Sequence, residues 1–180
     1  MLKIAILGPE STGKTILAGQ LAKHFHTDFV PEFSREYLKN FQGKYGINDV
    51  IAIAIGQQQR IEETVSKCKE ILIADTEAIV NKVWCEYVFK QTPEEVEELV
   101  KKQNFDLYLL CDTDLEWTFD PLRENPDLEE RKAIFALYQD FLEEINANYF
   151  IVSGKGELRF RHALEAIDNF CKGKSVLLFR

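Results

Sequence analysis

LKIAILGPESTGKT, Leu2 to Thr15, decides the fold. Its first half is a short, almost continuous apolar run, the pattern of a buried parallel strand. Its second half, Gly8-Pro9-Glu10-Ser11-Thr12-Gly13-Lys14-Thr15, fits G-x-x-x-x-G-K-[ST]. Glycines at both ends let the backbone turn its N–H groups inward around phosphates. Gly8, Glu10, Ser11, Thr12 and Gly13 then form the cradle. Lys14 reaches the β and γ phosphates, and the Thr15 hydroxyl suits Mg²⁺. Ile16, Leu17, Leu21 and Phe25 follow near one helical face, so the loop opens a helix whose positive end also favours an anion. Strand, loop and helix in this order predict a nucleotide site, with ATP and Mg²⁺ as its ligands.

Short β-rich runs alternate with helical patterns along the rest of the chain. DFVPEF reads as a second extended segment ending at Pro31. A helix is expected from Asn48 as cap, with Ile51, Ile55, Ile61 and Val65 on its apolar side and Gln57, Gln58 and Gln59 in solvent. EILIAD gives a third strand, and Ala78–Phe89 a helix. TPEEVEELVKK carries start signals in Thr92, Pro93 and Glu95. FDLYLLCD and YFIVSG read as the fourth and fifth strands. Between them lies a turn-rich loop and a long amphipathic helix, 128–146. Leu158–Cys171 is the last helix, and KSVLLFR at the end is either an edge strand or a docked tail. The expected architecture is α/β: a P-loop NTPase sandwich of three layers, one domain over 1–180, with a parallel five-stranded sheet covered on both faces. Ligands in such sheets sit beyond the carboxyl ends of the strands.

The totals narrow the partners. A formal net charge of −8 argues against a broad nucleic-acid footprint. The four cysteines form no CxxC pair, so neither a metal knuckle nor a disulfide framework is expected. No apolar run is long enough to span a bilayer, and the expected setting is cytoplasmic. A small molecule is the expected partner. The oligomeric state is left open.

ILIADT ends its strand on Asp75, where a carboxylate would hold Mg²⁺ directly or through water. A guanine-specific switch is disfavoured. Its N-K-x-D would fall on Asn81-Lys82-Val83-Trp84, with Trp in place of Asp, and Ala78 stands where such a switch has Gly. A small-molecule kinase needs a carboxylate near the acceptor hydroxyl and basic groups over the moving phosphoryl. PEFSREY supplies Glu32 and Arg35 at the second strand's end, with Tyr37 beside them. DPLRENPDLEER supplies Arg123 and Arg131 in a lid-like segment, about 115–132. Trp117 in that segment is a candidate to stack on a flat base. Either Glu32 or Asp75 would serve as the base. The rival is a regulatory ATP-binding protein that signals to a partner.

GPESTGKT, PEFSREYL, ADTE, FDLYLLCDTDLEW, DPLRENPD and YFIVSGKGE together resemble the ribosylnicotinamide kinase domain of NadR-type NAD regulators. The resemblance spans nearly the whole chain. It implies a nucleoside-kinase-like fold and ATP-dependent phosphorylation of nicotinamide riboside on its 5′-hydroxyl. Lys14 and Thr15 would serve ATP and Mg²⁺, and Asp75 the metal or the acceptor. Glu32, Arg35 and Tyr37 would line the acceptor side, and Arg123 would be a lid arginine. The family pattern has an aromatic residue before the Glu of the E-x-x-R-E-Y segment, where this chain has Pro31; Trp117 or Trp84 would have to replace it. The adenylyltransferase and DNA-binding domains of full NadR proteins are not expected in this chain.

Overall fold

The structure, a computed structural model, describes residues 1–39, 41, 43–68 and 70–173. The closing stretch KSVLLFR, expected as an edge strand or tail, lies outside the described residues. In chain order the elements are β1 (Leu2–Leu7), α1 (Lys14–His24), β2 (Phe29–Val30), α2 (Phe33–Leu38), α3 (Ile47–Val65), β3 (Ile71–Asp75), α4 (Ala78–Trp84), α5 (Glu94–Lys102), β4 (Leu107–Cys111), α6 (Leu128–Glu144), β5 (Tyr149–Val152) and α7 (Glu157–Gly173). The strands form one five-stranded sheet in the order β2-β3-β1-β4-β5, and every pairing is parallel. The three-layer α/β expectation is met.

Alternation along β1 sorts the core into two layers. Ile4 and Ile6 pack with Leu17, Ala18 and Leu21 of α1 and Ala163 and Ile167 of α7. Ala5 and Leu7 face the other way, toward Ile79 and Val83 of α4 and Ile134, Tyr138 and Leu142 of α6. Ile61 of α3 covers Leu72 and Ala74 on that same side. Strands covered on both faces have no use for polar alternation, which is why they read as apolar runs. From β1 the chain winds out to β2 and β3, then crosses to β4 and β5. β1 is therefore the switch point, and the crevice beyond its carboxyl end is where this topology holds ligands.

Several local expectations are corrected. Ile16 is 71% exposed, because it stands in the first turn of α1 at the crevice mouth, and Ala18 and Ala22 take the buried stripe instead. The extended segment after Asp28 is only two residues long; Pro31 ends it, and Glu32 caps the six-residue helix α2. α3 begins one residue before Asn48, its cap being Gly46, whose N–H donates to the Asp49 carboxylate at 2.7 Å. Ile55 faces solvent, and Val50, Ile53 and Ala54 supply the buried side. The helix from Ala78 changes to a π turn over Cys85–Phe89. Thr92 does not cap α5; its hydroxyl donates to Glu86, and Pro93 holds the cap position. Gln57 is not a solvent-facing residue at all, being 2% exposed.

Candidate active site

The loop after β1 owes its shape to two glycines. Gly8 has φ +132°, and a Cβ there would stand 2.7 Å from the Cys111 carbonyl at the end of β4. Gly13 has φ +78° and opens α1. Both positions lie where an L side chain is strained. The Thr12 hydroxyl donates to the Pro9 carbonyl and braces the loop from inside. Lys14 reaches back over it, its Nζ donating to the Gly8 and Pro9 carbonyls at 2.8 Å each. An ammonium on a flexible stem that bonds only loop carbonyls is free to exchange them for anionic oxygens.

Thr15 ties the loop to β3. Its hydroxyl donates to Asp75 Oδ2 at 2.5 Å, while Asp75 Oδ1 is buried without a hydrogen-bond partner. Burial first, and then the charge of Glu32, push the Asp75 carboxyl up to about 6, against the opposing pull of Thr15, Lys14 and Arg35. A buried oxygen left unpaired is costly, and a hard cation is the natural partner for it and the Thr15 hydroxyl. Among the described residues no group of three His, Cys, Asp or Glu could hold a metal alone. Such an ion would need further oxygens, as magnesium does when it sits on phosphates.

Across the crevice stands α2. Glu32, at its cap position, accepts a hydrogen bond from Ser34 Oγ at 2.7 Å and lies 3.5 Å from Arg35 Nε. Arg35 NH1 donates to Asp120 Oδ2 at 3.0 Å. That bond joins α2 to the long segment 112–127 between β4 and α6. Asp120 is held below the usual carboxylate range by the Leu122 N–H and by Arg35. Arg123, with its Nε 3.9 Å from Asp120 Oδ2, donates to the Thr118 carbonyl and hydroxyl.

Glu10 fastens this segment to the phosphate loop. Its carboxylate accepts from Trp117 Nε1 at 3.1 Å, Glu124 N at 2.9 Å and Asn125 N at 2.6 Å. Ser11 Oγ accepts from Thr118 N at 3.3 Å. The segment thus lies over the phosphate loop, and Glu10 fastens it there.

These elements enclose a cavity of about 620 Å³, a size that fits a nucleoside beside a nucleotide's phosphates. Lys14, Thr15, Glu32, Arg35, Asp120 and Arg123 line it, and Trp84 and Tyr45 form an aromatic corner. Trp84 Nε1 donates to the Tyr45 hydroxyl at 2.8 Å. Trp84 sits where α4 passes into its π turn, a distortion common beside functional sites.

Three residues expected at the site stand elsewhere. Tyr37 donates to Asp49 at 2.9 Å and does not line the cavity. The Trp117 indole lies on Glu10 rather than in the cavity. Arg131 is no surface arginine: it is 3% exposed in α6, with NH1 donating to the Leu115 carbonyl. Arg131 therefore belongs to the helix that supports the segment and not to the loop itself. Sequence reasoning passed over Asp120, although it stands three residues before Arg123 in the same motif. It also reads Gln57 as solvated from its polar neighbours, although Gln57 falls at helical spacing from Val50, Ile53, Ala54 and Ile61, which is the signal for its burial.

Glu77 is a buried acid behind the site. It caps α4, both oxygens accepting from Ile79 N at 3.1 Å, and burial pushes it up to about 8 despite those bonds. Its ordinary value is 4.5. Below that pH both folded and unfolded chains hold the proton, and the stability is fully present. Between there and about 8 only the unfolded chain releases it, so stability falls as pH rises, by up to about 1.4 kcal/mol per pH unit. Glu77→Gln, which stays neutral, is expected to flatten this decline. Urea unfolding at pH 5, 6, 7 and 8 checks it, and parallel slopes for the two proteins would refute it.

Comparison with known proteins places this geometry. A family model described as "AAA domain" matches residues 3–159. The trifunctional NAD biosynthesis/regulator protein NadR of Escherichia coli (strain K12) is 29% identical over 169 residues, which cover 91% of this chain and 41% of that protein. The chain thus spans less than half the length of this relative. A crystal structure of NadR protein in complex with NR superposes with a TM-score of 0.78 at 23% identity, over 99% of this chain and 53% of that one. Thymidylate kinase from Ehrlichia chaffeensis follows at TM-score 0.66 and 17% identity, over 93% of this chain and 97% of that one. The loop, the sheet order and these likenesses agree: the chain belongs to the AAA domain family, as a NadR-like P-loop protein with a nucleotide-kinase fold.

Proposed function

We propose that the protein is an ATP-dependent kinase acting on a nucleoside 5′-hydroxyl, with nicotinamide riboside as the acceptor. The observation that carries this is the pairing of Glu32 and Arg35 on α2, facing the phosphate loop across one cavity. A switch protein has no use for a carboxylate opposite its phosphates. A kinase needs one to receive the acceptor's proton.

The chain's groups divide the work. Loop N–H groups and Lys14 hold the β and γ phosphates of ATP. Thr15 and Asp75 would hold Mg²⁺, and their oxygens fit it because Asp75 Oδ1 is buried and unpaired. When bound, the ion offsets charge on the phosphate oxygens. Glu32 accepts the proton of the 5′-hydroxyl as its oxygen bonds to the γ phosphorus and the bond to the β-phosphate oxygen breaks, leaving ADP. Arg35 and Arg123 stand beside the path with fixed guanidinium forks suited to phosphate oxygens. The lid excludes water from the transfer.

NadR relatives favour nicotinamide riboside, and so does the charge of the cavity. Glu10, Glu32, Asp120 and Glu124 all line it, next to Trp84 and Tyr45. A pyridinium ring carries positive charge and suits both an acidic rim and an aromatic face. Trp84 takes the place of the aromatic residue for which Pro31 stands. Trp84→Ala is expected to raise the acceptor KM about tenfold, the size of a cation–π contact of up to about 2 kcal/mol, with the KM for ATP unchanged. Steady-state kinetics decide this.

The test of the function is purified protein with ATP, Mg²⁺ and a panel of nicotinamide riboside, adenosine, uridine and thymidine. Formation of the 5′-monophosphate of nicotinamide riboside is expected. If ATP binds and no nucleoside is phosphorylated, the kinase reading fails.

A further inference from the structure

We infer that Gln57 is a positioning residue that fixes the gap between the two acidic walls of the site by bridging the chain just beyond each of them. This inference rests on the proposed kinase reading. Gln57 projects from the middle of α3 and is 2% exposed. Its Oε1 accepts from Phe33 N at 2.7 Å, and its Nε2 donates to the Thr76 carbonyl at 3.1 Å. Phe33 directly follows Glu32, and Thr76 directly follows Asp75. One amide therefore spans the exits of β2 and β3.

Both ends need holding. The Phe33 N–H is a first-turn donor of α2, one of the groups that a helix leaves without an internal partner. Thr76 has φ +77°, a conformation that a β-branched residue adopts only when its surroundings impose it. A glutamine meets both demands because its amide offers an acceptor and a donor on one planar group.

The turn of α3 around Gln57 is shaped for the same purpose. Gly56 lets the Phe33 ring lie against the helix; a Cβ there would stand 2.2 Å from the ring. Arg60 lies over that ring at 4.6 Å and pairs with Glu36 of α2. Gly56, Gln57 and Arg60 thus make a seat for α2, the helix that carries Arg35 and is capped by Glu32. None of the three bonds the phosphate loop itself, and the one tie to the donor side is Gln57 on the Thr76 carbonyl, so the seat acts chiefly on the acceptor wall.

The test uses Gln57→Met, which keeps length and loses both bonds, and Gly56→Ala, which displaces Phe33 while leaving the amide intact. Both are expected to lower kcat roughly tenfold to a hundredfold, the cost of about 1 Å of misplacement, with affinity for an ATP analogue changed less than about twofold. A purely structural role would weaken both together. Amide hydrogen exchange supplies a readout that does not depend on turnover. The Phe33 N–H is expected to exchange at least roughly tenfold faster in Gln57→Met, with β1 amides unchanged. If β1 amides also lose protection, that variant has not folded, and Gly56→Ala decides.

Faster Phe33 exchange in Gln57→Met, with wild-type protein that phosphorylates no nucleoside, would uphold the bridge and sink the kinase reading. Unchanged Phe33 exchange, or wild-type kcat in both folded variants, overturns the inference.

Discussion

Glu32→Gln is expected to lower kcat by a factor of about 10² to 10⁴, the usual contribution of a positioned general base, while binding of an ATP analogue stays unchanged. The structure separates the two acids that the sequence leaves equivalent. Asp75 ends β3, is buried, and has one oxygen committed to Thr15 at 2.5 Å. That places it on the donor side. Glu32 lines the cavity, and its partners Ser34 and Arg35 sit on the same short helix. Nothing from the phosphate loop competes for it. Glutamine keeps the size and one acceptor oxygen but does not take a proton at neutral pH. Rapid-quench measurement of a single turnover reads the step directly. A loss of less than about tenfold would place the base elsewhere.

The acid pair also interacts through space. Removing the Glu32 charge takes away the second-largest cause of the raised Asp75 carboxyl, which lies at about 6. Glu32→Gln is thus expected to lower Asp75 toward its ordinary range. Burial, the largest cause, stays in place. A carbon-13 NMR titration of the Asp75 carboxyl, in the absence of Mg²⁺, is the direct check. No movement would mean that the two carboxylates do not sense each other.

The chemistry of the donor side was legible in the sequence because a parallel sheet forces it to be. Residues after apolar strands must gather at the carboxyl edge, so strand ends point to Asp75 and, across the crevice, Glu32, while the G-x-x-x-x-G-K-[ST] motif itself names Lys14 and Thr15. Local periodicity failed where tertiary contacts decide. α2 is only six residues long and follows a proline, so FSREYL carries no helical repeat to detect. Ile16 looks like core by spacing but points to the crevice mouth. Gln57 sits in a polar run, but its spacing from Ile53 and Ile61 puts it on the buried stripe of α3, and the approach of two strand exits makes it a bridge there. Arg131 belongs to a charged stretch, yet the carbonyl of Leu115 draws it inside. The position of Glu10 within the motif is one that any residue can fill, so its hold on the lid could not be read from spacing.

That hold carries the other large effect. Glu10→Ala is expected to lower kcat/KM for the acceptor about a hundredfold, as misplacement of a closing element does, and to raise the share of ATP lost to water. The carboxylate gathers one indole and two backbone N–H groups from a single segment. Each bond to a charged acceptor is worth about 1.5–3 kcal/mol when well buried, and the partial exposure of Glu10 reduces that sum. What remains still exceeds the single Ser11–Thr118 bond beside it. On the acceptor side the segment is held by the exposed Arg35–Asp120 pair, a class of contact worth about 1 kcal/mol or less, and by Glu124 against Tyr45. Its first residues stay fixed by Asp114 on Arg159 and by Leu115 on Arg131. Without Glu10 the stretch from Trp117 to Asn125 therefore loses its main hold on the phosphate loop while its first residues stay anchored, and water enters there. Two measurements read this independently. The ratio of free phosphate to nucleoside monophosphate should rise. In a Trp84→Phe background, where Trp117 is the remaining one of two tryptophans, emission should shift to the red as the indole leaves Glu10. Glu10→Gln retains an acceptor for two of the three donors and should fall between. An unchanged phosphate ratio together with unchanged Trp117 emission in Glu10→Ala would show that the lid closes without its latch.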